Sequence, residues 1–256
     1  MKKKALLLLA AVLALCFAAC SSGKTTYPEV LDSGFPEKYA GEREKVMELI
    51  AHPGDAVDLV TSRGKLVEAA GDEALFRYYG GMKGAKPDGY GIVLSRGALI
   101  FGGEFNKGKP CGYGIVFDAD DYGNHSDVYE GDDCTLLSIG GLRRFRASGK
   151  GFIYDDVAFY GKGEPSILYA GELNKNERDG EGQEFYPGDT GFGPLCYAGE
   201  FKDNKYSGDG TLYAENGNII NEGGFKRGLY SGKGVLYDAT GAVKYKGKFV
   251  GGEIKG

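Results

Sequence analysis

Tryptophan is absent from this chain of 256 residues, which also holds only two histidines, three methionines and eight prolines. His52 and His125 stand far apart, and neither neighbours a cysteine. A histidine-based catalytic triad and a His/Cys zinc site therefore lack their parts. There is no His-Glu-x-x-His and no Gly-x-Ser-x-Gly. Gly228-Leu-Tyr-Ser-Gly232-Lys233 is one residue short of a phosphate-binding loop. No cofactor is expected. The longest apolar run, Ala5 to Ala19, falls short of the roughly 20 residues that cross a bilayer. Glycine does not recur at every third position and proline is scarce, which excludes a collagen-like chain.

Glycine is abundant instead, at 45 residues, with 18 tyrosines and 14 phenylalanines. Glycine is costly inside helices and aromatic rings favour strands, so the composition points to β structure with many tight turns. Residues 1–19 read as a secretory signal: Lys2, Lys3 and Lys4 precede the apolar run, and small Ala18 and Ala19 precede Cys20. The end of this run resembles a bacterial lipobox, which implies cleavage by signal peptidase II and a lipid on Cys20. Phe17 departs from the leucine usual there. Without residues 1–19 the chain carries 28 Lys and Arg (31 less three) against 36 Asp and Glu, a net charge of −8. An acidic chain has no electrostatic reason to bind nucleic acid. Cys111, Cys134 and Cys196 remain, an odd number that allows at most one internal disulfide and leaves all three free as the alternative.

Residues 20–40 read as the lipidated cysteine and a flexible tether. Residues 41–77 form an N-terminal cap. In it Glu42 to Ala51 is a short helix with Val46, Met47, Leu49 and Ile50 on one face, stopped by His52-Pro53-Gly54. Leu59 to Val67 has the pattern of a degenerate hairpin around Gly64, and the helix is expected to cap the first hairpin.

From Tyr78 to Gly256 one rule recurs: aromatic-x-Gly-x-Phe, six residues, Gly-x-Gly, then a ring. The anchor glycines are Gly80, Gly103, Gly131, Gly171, Gly199, Gly223 and Gly247. Their spacings are 23, 28, 40, 28, 24 and 24 residues. Side chains alternate along a strand, so the residues two before and two after each anchor share its face. The bare glycine between is expected to admit a ring from the neighbouring strand. The six intervening residues read as the hairpin turn. Ala214 to Gly217 and Asp238 to Gly241 read as turns between units. Two strands per unit give an antiparallel meander that grows by one hairpin per repeat. The last copy reaches only half a unit, so an open sheet edge is expected there.

This pattern resembles the MORN repeat, most clearly over Phe101 to Phe117, Tyr169 to Phe185, Tyr197 to Tyr213 and Asn221 to Tyr237. Asn221 replaces the first tyrosine, and the third copy is stretched. The resemblance covers residues 78–256 and implies an all-β, elongated, open antiparallel sheet. It also implies a scaffold, protein-binding or lipid-proximal role and no catalytic residue. The expected setting is the extracytoplasmic side of an envelope membrane. A lipid anchor holds the chain there, and another envelope protein is its partner.

Residues that break the rule are the candidates for binding: Tyr122 in the acidic turn, Arg143, Arg144 and Arg146 in the stretched copy, and Phe192 in the loop Pro187 to Pro194. Tyr169 and Tyr197 join them as rings that a single-layer sheet could expose. Asp118, Asp120 and Asp127 resemble part of a calcium loop, but Tyr122 and Tyr129 stand where ligands are needed, so an enlarged solvated turn is the simpler reading and no metal is assigned. Carboxylates in the third copy (Asp132, Asp133, Asp155, Asp156) are the enzymatic alternative, and envelope glycan or lipid bound by surface tyrosines is another.

Overall fold

A computed structural model describes residues 39–71, 74–119, 125–139, 142–155, 166–188 and 191–256. Cys20, Asp120, Tyr122 and Asp156 lie outside the described residues. Among the described residues one helix, α1 (Ala40–Ala51), precedes seventeen strands. The first are β1 (Val57–Ser62), β2 (Lys65–Glu68), β3 (Phe76–Met82), β4 (Pro87–Ser95), β5 (Ala98–Asn106) and β6 (Lys109–Ala119). A long pair follows, β7 (His125–Ile139) and β8 (Leu142–Asp155). Next come β9 (Ser166–Asn174), β10 (Glu177–Phe185), β11 (Gly191–Phe192) and β12 (Leu195–Lys202). The last are β13 (Lys205–Tyr213), β14 (Ile219–Lys226), β15 (Leu229–Tyr237), β16 (Val243–Val250) and β17 (Glu253–Lys255).

Every strand from β3 to β17 except β11 pairs antiparallel with the next in line. The expected open meander is therefore present. One small exception is β11, which lies parallel to the start of β9. The register brings glycines together. Gly80, Gly91, Gly103, Gly114, Gly131, Gly151, Gly171, Gly182, Gly199, Gly210, Gly223, Gly234 and Gly247 are successive cross-strand partners. They make one unbroken row across the sheet.

This row corrects the expectation that a neighbour's ring fills the glycine gap. At Gly210 an added Cβ would lie 2.2 Å from the hydroxyl oxygen of Tyr197. At Gly199 it would meet the Gly210 Cα at 2.6 Å and the Tyr197 hydroxyl at 2.9 Å. At Gly80, Gly103, Gly171, Gly199 and Gly247 the covering ring is thus the unit's own first aromatic residue, whereas Gly131 meets Ala147 and Gly234 the Phe249 ring of the next unit. The Tyr197 hydroxyl ends 3.1 Å from the Glu200 carbonyl, and Tyr78 and Tyr169 donate likewise to Gly81 and Glu172. Neighbouring units meet edge to face instead: Tyr169 with Phe201 at 5.1 Å, Tyr197 with Phe225 at 5.2 Å.

The hairpin turns are also tighter than expected. Positive φ at Lys107 and Gly108, Asp203 and Asn204, and Arg227 and Gly228 marks two-residue turns of the primed kind, which suit the strand twist. In these hairpins the other residues of the six-residue spacer are strand, whereas in the first copy Lys83 to Lys86 form a four-residue turn. Each turn also hydrogen-bonds to the previous hairpin, as in Gly228 N–H to Tyr206 O and Gly252 N–H to Tyr230 O, both 2.9 Å. The expected turns at Ala214 to Gly217 and Asp238 to Gly241 close by hydrogen bonds between their ends.

The hairpin foreseen around Gly64 is β1–β2, and β1 also pairs with β3. Its outer strand folds over neighbouring turns: Leu66 N–H donates to Gly108 O and Glu68 N–H to Ala85 O. This hairpin, and not the helix, caps the sheet's first end. At the far end β17 pairs with β16 and with no other described strand.

The stretched copy has a mechanical explanation. β7 and β8 continue pairing beyond the usual turn, out to Ile139 and Leu142. The overhang lies on the face that carries the ladder rings, here called the ring face. Phe145 stacks on Phe101 with centroids 4.3 Å apart, and Cys134 and Ala147 are buried beside it.

Candidate interaction surfaces

Helix α1 sits on the opposite, helix face, where it touches β4, β5 and β6. Its sheet-facing stripe is Tyr39, Arg43, Val46 and Ile50, at helical spacing, with Tyr39 and Val46 buried and Arg43 and Ile50 half-buried. Met47, expected inside, is 38% exposed. Val46 is fully buried where β5 presents Gly102, and an added Cβ there would come within 2.4 Å of the valine methyl. The missing side chain of Gly102 is the seat for the helix.

Beside this seat lies Glu130, a carboxylate with no solvent exposure. Arg43 reaches it with two nitrogens, Nε at 3.0 Å and Nη2 at 2.5 Å. Tyr113 and Tyr154 each donate a hydroxyl to it at 2.5 Å, and Arg43 also donates to the Tyr154 oxygen at 3.0 Å. Tyr39 donates to Asp132 and lies 2.9 Å from the Lys150 carbonyl. Burial, then the field of Glu130, holds the Tyr113 phenol far above its ordinary pKa. Four donors on one carboxylate satisfy a buried charge that would otherwise be prohibitive. This network docks the helix. It joins β6, β7 and β8 to the N-terminal segment and leaves the carboxylate no room for a substrate.

The sequence candidates separate on the structure. Tyr169 and Tyr197, taken as rings a partner could reach, are 1% and 0% exposed; they are sheet joints and are withdrawn as binding residues. Phe192 folds inward, its centroid 4.9 Å from Phe185 and 6.4 Å from Phe152. Arg144 and Arg146 alternate with inward-facing Phe145 and Ala147 on the overhang and are half-buried; Arg143 pairs with Ser138 in the same ladder. Asp118 and Asp127 are opposite one another at the base of the acidic turn. Of the third-copy carboxylates, Asp132 is bonded to Tyr39, Asp133 is exposed opposite Ser148, and Asp155 pairs with Asp127 in the ladder. Cys111, Cys134 and Cys196 are all free.

Sequence reasoning missed a polar cluster on the ring face. Arg178 pairs with Glu184, stacks over Phe201 at 5.4 Å and donates to the Asn204 carbonyl. Tyr206 donates to the other Glu184 oxygen at 2.5 Å and stacks on Tyr197 at 3.9 Å. By register Arg178 occupies the place of Tyr206, Tyr230 and Ile254 in later units, and Glu184 that of Leu212 and Leu236. An ion pair at two otherwise apolar repeat positions was the available signal.

Coverage therefore differs between the two halves. Helix α1 and the overhang cover opposite faces between β4 and β8. From β12 onward neither does, and Tyr206, Leu212, Tyr230, Leu236 and Tyr245 are half-exposed along the ring face, with Ile254 at 49%.

The MORN repeat family matches at residues 103–120, 169–190, 197–219 and 222–243. The matched stretches fall on β5–β6, β9–β10, β12–β13 and β14–β15. The copies anchored at Gly80, Gly131 and Gly247 lie outside the matched stretches yet hold the same place in the glycine row. No curated protein matches the chain.

Proposed function

We propose that this MORN-repeat chain is a non-catalytic scaffold of a bacterial cell envelope, anchored through lipid on Cys20, whose uncovered C-terminal hairpins capture a protein partner. The observation that carries the reading is the difference in coverage. Strands between β4 and β8 are packed on both faces, and from β12 onward the ring face is covered by neither the helix nor the overhang. Half-exposed aromatic rings on a fixed backbone are good anchors, because little conformational freedom is lost when they are covered.

The test uses the full tagged chain expressed with its leader. Metabolic fatty-acid labelling of the chain, abolished by Cys20→Ser, is expected. Affinity capture from the envelope should yield a protein retained by wild type and lost from Tyr206→Ala/Tyr230→Ala/Ile254→Ser. Unlabelled wild-type protein overturns the anchor, and equal capture by the triple variant overturns the ring-face reading. The second reading, glycan or lipid held by the same half-exposed tyrosines, predicts retention on protein-free envelope material that the triple variant loses.

A further inference from the structure

A line of charge crosses the helix face beside the glycine row. Glu172 on β9, Glu181 on β10, Glu200 on β12 and Asp209 on β13 come first. Gly224 on β14 follows, then Lys233 on β15, Lys248 on β16 and Lys255 on β17. Register fixes this order: Glu181 is opposite Glu200, Asp209 opposite Gly224, Lys233 opposite Lys248, and Lys248 opposite Lys255. Within the β12–β13 hairpin the Asp209 N–H lies 3.3 Å from a Glu200 carboxylate oxygen. All seven charged residues are exposed, and no ion pair among the described residues involves any of them.

Neighbouring strands lie about 4.8 Å apart, so like charges directly opposite one another are destabilising. The Glu181 carboxyl is raised by partial burial and then by the fields of Glu200 and Glu172. The acids and the lysines are each crowded with their own kind, and they are segregated from each other along one line.

The line is antisymmetric about Gly224. One strand away on either side are Asp209 and Lys233, two strands away Glu200 and Lys248, three strands away Glu181 and Lys255. We propose that the helix face of the C-terminal half binds a second copy of this chain, about a two-fold axis that runs along β14 between the facing sheets. That operation places each acid opposite the lysine at the same distance from Gly224. Three pairs, each occurring twice by symmetry, neutralise both blocks, and the contact is isologous and closed. Gly224 on the axis puts no side chain between the copies. The rotation keeps the hand of the sheet twist, so the two surfaces nest. An anionic membrane or polymer would engage the lysines alone and be repelled by the acids beside them. A second copy satisfies both blocks. The proposal stands apart from the lipid anchor and from the ring face.

The test is capture between two differently tagged full chains in detergent. Wild type should capture wild type at low salt, and capture should fall at least tenfold in about 1 M salt, where the screening length is about 3 Å. Lys233→Glu/Lys248→Glu/Lys255→Glu should fail to capture itself. So should Glu181→Lys/Glu200→Lys/Asp209→Lys. Mixed together, the two triple variants should recover capture, since at the six paired positions one then presents only acids and the other only lysines. That recovery also shows that both variants fold. No capture of wild type by wild type, capture that ignores salt, self-capture by either variant, or failure of the mixture overturns the proposal. Wild-type self-capture alongside loss of envelope partners would leave this contact standing and remove only the ring-face reading.

Discussion

Alkali should unfold this protein in one steep step. Tyr39, Tyr78, Tyr113, Tyr154, Tyr169 and Tyr197 are all buried. Burial above all else holds each phenol well above its ordinary pKa, and the Glu130 carboxylate pushes Tyr113 and Tyr154 further in the same direction. In the unfolded chain the same groups ionise near pH 10. Above that pH the unfolded state sheds protons that the folded state keeps. Stability that is fully present below about pH 10 is therefore lost as pH rises. Each group contributes about 1.4 kcal/mol per pH unit, so six contribute about 8 kcal/mol per unit. A domain of ordinary stability, about 5–15 kcal/mol, would then unfold between about pH 10.5 and 12. The assay is tyrosinate absorbance followed together with the β-sheet circular dichroism. Exposed tyrosines should titrate gradually with the sheet intact, and the six named here should ionise together as the sheet is lost. A single gradual titration of all 18 tyrosines near pH 10, with the sheet preserved, would refute the burial argument.

Two substitutions test the docking network and the repeat rule. Arg43→Met strands the fully buried Glu130 carboxylate, and the expected loss is about 3 kcal/mol; it sits at the low end of the range for buried pairs because the Arg43 side chain is 27% exposed. Urea midpoints should show a smaller loss in Arg43→Met/Glu130→Gln, and equal losses would mean that the pair is not coupled. Asn221 stands where the repeat has tyrosine, is 1% exposed, and leaves both its amide oxygen and nitrogen without a partner. Asn221→Tyr removes that deficit and restores a ring over Gly223 and Gly234, with an expected gain of about 1–3 kcal/mol. A lower melting temperature in the variant would refute it.

The meander was legible because its rule is local. Alternation about Gly199 assigns Tyr197 and Phe201 to one face, and repetition extends the assignment along the sheet. The inter-unit turns at Ala214 to Gly217 and Asp238 to Gly241 carry their own turn residues. The two-residue hairpin turns were hidden, because Lys, Asn and Ser beside them look like loop yet are strand. The helix contact was hidden more deeply. Its stripe runs through Arg43, whose partner Glu130 is 87 residues away in sequence, so apolar periodicity picked out Met47 instead. The overhang was visible only as a late glycine pair. Nothing local said that β7 and β8 would keep pairing and lay Phe145 on Phe101. The binding candidates fared worst for a related reason. Tyr169 and Tyr197 are conspicuous in sequence because the sheet needs them, and the sheet needs them buried.

That relation leaves the helix face freer to vary than the ring ladder. On the ring face the glycine row and its covering aromatics leave little freedom, since replacing Gly210 would drive a methyl into Tyr197. The residue just before each anchor glycine points to the other face and is unconstrained by the rings. Those positions hold Tyr79, Gly102, Glu130, Ala170, Ala198, Glu222 and Lys246, a sequence with no rule in it. Two of them already have known occupants: Gly102 seats Val46, and Glu130 binds Arg43. Each repeat thus supplies a fixed frame and one or two free positions on the helix face. The charge line from Glu172 to Lys255 uses the next free position along. A chain of such units can vary its helix-face residues at little cost to the ring ladder that holds it together.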